Sequence, residues 1–68
     1  MLDVNALKAE MVRNGYTQAS IAYELGMTPR TFYTRLKTGD FRRIEMEILI
    51  KKLKLKDPMS IFFANTVI

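Results

Sequence analysis

Gly15, Gly26, Pro29, Gly39 and Pro58 punctuate this 68-residue chain so closely that only short elements fit between them. The apolar residues in the intervals recur at helical rather than alternating spacing, which predicts about five short helices and no sheet. Helix one is expected from about Asn5 to Arg13 behind Asp3 or Asn5 as cap. Val4, Leu7 and Met11 fall on one side, and Asn14-Gly15 forms the stop. Thr17 caps a second helix over 18–25, with Ile21, Ala22 and Leu25 inward and Tyr16 placed to staple onto Ile21. Gly26 ends it, since glycine accepts the left-handed conformation of a sharp helix stop. Thr28 followed by Pro29 starts a third helix that runs to about Thr38 and ends at Gly39. Proline suits its first position because the missing N–H has no helical partner there.

A fourth helix begins between Asp40 and Ile44 and continues to about Lys54, with Met46, Leu49, Ile50 and Leu53 as one apolar stripe. Ile44, Ile48 and Leu55 project to nearly the opposite side. A helix apolar on two sides is either sandwiched within the domain or offers one side to a partner. Asp57-Pro58 repeats the cap-plus-proline signature for a last short helix through Ile61, Phe62 and Phe63. The expected fold class is all-α: one domain over 1–68, a compact bundle of short helices.

Composition then removes whole classes of chemistry. There is no Cys and no His, so no disulfide, thiol nucleophile, zinc finger or imidazole base exists. No pair of carboxylates, nucleophile with its base, or phosphate loop has usable spacing, so an enzyme is not expected, nor any cofactor or metal. A single small domain spares little surface for a deep pocket, and binding is the default role. Eleven Lys and Arg against seven Asp and Glu leave a net charge of +4, a field that attracts polyanions. The first residues carry acids where a secretory leader is basic, and the run Ile61 to Ala64 is far too short to span a bilayer. The chain is therefore expected in the cytoplasm, without membrane contact.

Helix three is the most informative stretch. At 100° per residue, Arg30, Tyr33, Thr34 and Lys37 fall within about 100° of one another, while Phe32 and Leu36 point away. No acidic residue occurs between Pro29 and Thr38. Arg is able to pair guanine bidentately, Thr to reach a phosphate or a thymine methyl, and Lys to reach a base edge or a phosphate. Taken alone, such a face is either solvated surface or a groove-entering surface. In the preceding helix, Ala22 is small enough for close crossing, Gly26 makes the turn, and Ile21, Leu25, Met27 and Phe32 fill the angle.

The stretch QASIAYELGMTPRTFYTRL resembles the helix-turn-helix of phage lambda-type repressors and Cro proteins. LKTGDF followed by EMEILIKKLKLKDPMSIFF is similar to the back half of small Cro-like regulators of Gram-positive temperate phages, in which paired aromatics close the core. The resemblance implies a lambda repressor-like DNA-binding domain with its helix-turn-helix at about 17–38, acting as a transcriptional repressor in a bacterial host. By position it implies base contacts from Arg30, Thr31, Tyr33 and Thr34, and phosphate contacts from Gln18, Thr28 and Lys37. Arg42 and Arg43 are either a backbone clamp or loop charges. The implied partner is a double-stranded operator, bound by a homodimer. The second apolar side of helix four and the apolar tail make Ile44, Ile48, Leu55, Val67 and Ile68 the candidate interface, with a second copy or with another phage repressor. The alternatives are a modulator that complexes another phage repressor and an excisionase-like architectural DNA binder.

Overall fold

A computed structural model describes residues 1–64; the candidate interface residues Val67 and Ile68 lie outside them. Five helices follow in chain order: α1 (Val4–Arg13), α2 (Gln18–Glu24), α3 (Pro29–Thr38), α4 (Arg43–Lys52) and α5 (Pro58–Phe62), with no strand among the described residues. Local chemistry sets most of the boundaries. Asp3, not Asn5, caps α1, its Oδ1 accepting from the Ala6 amide at 3.0 Å. At α2, Thr17 Oγ1 accepts from the Ser20 amide at 3.0 Å while Ser20 Oγ accepts from the Thr17 amide at 2.9 Å. Each group so paired is one of the orphan donors at a helix start. The third helix begins at Pro29 and stops at Gly39, which sits at φ +72°. A Cβ there would also lie 3.2 Å from the Leu2 Cβ, so both conformation and space call for glycine.

The core joins all five helices through Leu7, Met11, Ile21, Ala22, Phe32, Leu36, Leu49, Ile61 and Phe62, with Leu53 just past the end of α4. Leu2, Phe41 and Leu55, from the connecting segments, complete it. The Phe32 ring centroid lies 5.9 Å from that of Phe41, tilted by 56°, and Phe41 meets Phe62 at 6.4 Å edge-on, so one aromatic row links α3 to α5. Of the two terminal phenylalanines, Phe62 is buried and Phe63 is 45% exposed, so one rather than both closes the core. The chain ends are stitched by backbone pairs, Asp3 N–H to the Ile61 carbonyl at 2.7 Å and Ala64 N–H to the Met1 carbonyl at 2.8 Å. No polar or charged residue is buried in this core, and no buried side-chain nitrogen or oxygen among the described residues is left unpaired.

The fourth helix is shorter than its apolar spacing predicts, and this corrects one assignment. It ends at Lys52, and Lys54 turns the chain back in a left-handed conformation at φ +51°. The Leu55 amide then donates to the Ile50 carbonyl at 3.1 Å and its side chain, 8% exposed, enters the core. Leu55 is therefore not an interface residue. Projecting it onto a continuing helix put it on the wrong side. Ile44, 69% exposed, does lie on the open side of α4. Ile48 is half-buried and lines a shallow groove with Leu25, Arg42, Arg43, Ile44 and Glu45.

Candidate nucleic-acid interface

Helices α2 and α3 pack directly on one another across the turn 25–28. Fully buried Ala22 anchors that turn, accepting through its carbonyl from the Met27 amide at 3.0 Å, and Gly26 at φ +71° reverses the chain. The third helix thus leaves the turn with its orientation set by two buried positions on its back, Phe32 and Leu36. Arg30, Tyr33, Thr34 and Lys37 are all exposed on the other side. Arg30 and Lys37 make no ion pair or hydrogen bond through their side chains with any described residue, so their charges remain available.

The hydroxyls of this helix are more committed than its cations. Thr28 Oγ1 accepts from the Thr31 amide at 3.2 Å and donates to Thr31 Oγ1 at 3.1 Å, which makes both residues part of the helix cap. Thr34 Oγ1 donates to the Arg30 carbonyl at 3.1 Å, leaving its lone pairs and its methyl outward. Gln18, at the first position of α2, is half-buried and its amide has no partner among the described residues.

Beyond Gly39, the segment 40–43 brings two further arginines. The Arg42 guanidinium has no partner among the described residues, while its amide donates to Glu45 Oε1 at 2.8 Å. Arg43 only grazes Glu47 at 4.0 Å with both groups well exposed, a contact too loose to hold it. The corner itself is held by a residue that sequence patterning did not single out. Arg35 Nη1 donates to Glu45 Oε1 at 2.8 Å and to the Asp40 carbonyl at 2.9 Å, fixing the end of α3 against the start of α4. A second unpredicted neighbour is Lys8 of α1, which shares a cleft with Val4, Tyr33, Leu36 and Lys37. Its exposed side chain adds a charge beside the open face of α3. Neither residue carries a local signal, because each depends on which helices meet.

The described residues contain no group of three or more His, Cys, Asp or Glu placed to hold a metal ion, and no helix among them is long and apolar enough to cross a membrane. Comparison with protein-family models, with curated proteins and with solved structures returned no match to this chain.

Proposed function

We propose that this chain is a sequence-specific DNA-binding repressor of the Cro-like kind that its sequence resembles, with α2 and α3 as a helix-turn-helix and α3 entering the major groove of an operator. The observation that carries the reading is the asymmetry of α3: Phe32 and Leu36 buried behind, Arg30 and Lys37 unpaired in front, and no carboxylate along its length. In this reading Arg30, Thr31, Tyr33 and Thr34 meet base edges, while Gln18, Thr28, Lys37, Arg42 and Arg43 meet phosphates. Lys8 joins the phosphate set. Footprinting on the DNA that flanks the chain's own gene tests this directly. Protection of a short palindrome that weakens steeply as salt rises is expected, by counterion release. Absence of protection at about 50 mM salt would overturn the reading.

A twofold operator with half-sites one turn, about 34 Å, apart requires two recognition helices, and the open side of α4 supplies a surface for a second copy. Ile44 is left bare and Ile48 half-covered beside it, with Leu25 and Arg43 bordering the same groove. Ile44→Glu is expected to abolish cooperative operator binding while helical content is unchanged. The same surface also suits a different repressor. A variant that keeps operator binding but loses a heterocomplex would move the function to protein binding.

A further inference from the structure

Leu53 and Leu55 are buried in the core, and the residues around them, Lys51, Lys52, Lys54 and Lys56, are all exposed. With both leucines turned inward, the lysines at the end of α4 and in the turn that follows it are left at the surface. Its backbone is tied down at several points: the Leu53 amide donates to the Leu49 carbonyl at 2.9 Å, the Leu55 amide to that of Ile50 at 3.1 Å, and the Asn14 Nδ2 to the Leu53 carbonyl at 3.0 Å. Only Lys52 has an ion-pair partner, Glu24 at 3.2 Å. Lys51, Lys54 and Lys56 have none among the described residues. Two acids share a cleft with Lys56, and one of them, Asp57, keeps its charge. Glu10 pairs with Arg13 at 2.6 Å, and Asp57 caps α5 by accepting from the Ser60 amide at 3.4 Å.

Lys54 adds an independent observation. The chain reverses in the left-handed region at Gly15, Gly26 and Gly39, and a fourth time at Lys54, the only positive-φ residue there that is not glycine among the described residues. A lysine in this conformation is strained where glycine is not. Glycine would serve the fold better, and what the lysine adds is an outward positive charge.

We propose that the lysine turn 51–56 is a second contact surface for the phosphate backbone of duplex DNA, separate from α3 and indifferent to base sequence. The chemistry selects that ligand. Residues 51–57 contain no arginine or amide side chain to fork onto a base edge, and no aromatic to stack on an unpaired base. Lysines alone act as point charges on phosphates. The turn also lies apart from the α3 corner, since Glu45 joins Arg35 near the start of α4 and Leu53, eight residues on, meets Asn14 just past its end, about 12 Å along the helix. The surface works whether or not α3 reads an operator.

The test uses the whole chain and a short duplex of scrambled sequence. Bound duplex is expected to protect Lys51, Lys54 and Lys56 from acetylation. Combining Lys51→Gln, Lys54→Gly and Lys56→Gln should weaken binding at least ~10-fold at about 50 mM salt and lower the salt slope by roughly three. Thermal melting of the variant should be unchanged or higher, because Lys54→Gly removes strain. Lysines that stay fully reactive in the complex, or a variant with unaltered affinity and slope, would overturn the proposal. So would a variant that loses binding to polyglutamate while keeping duplex binding, which would assign the turn to an acidic protein. Protection of the lysines reads this surface alone, whereas operator footprinting reads α3, so failure here and failure of the α3 reading are separate results.

Discussion

Helices α3 and α4 are each ten residues long and strongly charged, yet they spend their charges differently. Along α3 there is no acid, and of its three cations Arg35 is engaged while Arg30 and Lys37 have no partner among the described residues. Along α4 acids and cations are mixed: Glu45 pairs with Arg35 and Lys52 with Glu24, Arg43 and Glu47 touch only loosely at 4.0 Å, and Lys51 has no partner among the described residues. What sets α4 apart is that it also leaves a large apolar side chain open, at Ile44. A helix with free cations on one side presents charge to a polyanion, whereas a helix whose charges are balanced serves as a strut and an apolar surface. The two are joined at one corner, Arg35 to Glu45, so the strut also aims the presenting helix.

The comparison can be broken most forcefully at the buried back of α3. Phe32, fully buried in the aromatic row, is expected to cost about 3 to 5 kcal/mol when cut to Ala, read by denaturant unfolding. A 68-residue domain has little more than that to lose, so the variant should be largely unfolded. On the front of the same helix, Arg30→Ala should leave the unfolding midpoint in place and weaken operator binding by about 1 to 3 kcal/mol. Equal operator affinity in that variant would show that the open face of α3 is ordinary solvated surface.

The corner offers an intermediate effect. Arg35 and Glu45 are mostly covered, at 21% and 13% side-chain exposure, and a double-mutant cycle of Arg35→Met with Glu45→Gln should return a coupling of about 1 to 2 kcal/mol in stability. Negligible coupling would mean that α3 and α4 are held together by apolar packing alone. The smallest effect belongs to the exposed pair on α4: Glu47→Gln should change stability by no more than about 0.5 kcal/mol. If Arg43 touches phosphate, the same variant binds DNA slightly tighter, having lost a repelling charge. Weaker binding would place Arg43 outside the contact surface.

The sequence by itself determined the elements whose ends are written in neighbouring residues. Thr28, Pro29 and Gly39 delimit the third helix as observed, and the separation of Phe32 and Leu36 from Arg30, Tyr33, Thr34 and Lys37 follows from helical period alone. Capping and stop chemistry act within about four residues, so no distant contact was needed to read them. Only the tertiary structure decided matters that depend on how separate segments meet. Leu2 and Phe41 belong to no helix and carry no periodicity, yet they fill core space between helices. Leu55 left the open side of α4 because Lys54, without a glycine to announce it, reversed the chain one residue before the apolar pattern ran out. Arg35 became the corner residue and Lys8 a neighbour of α3 because ion pairs and clefts form between residues far apart in sequence, and helical periodicity fixes a residue's side but not what stands opposite it.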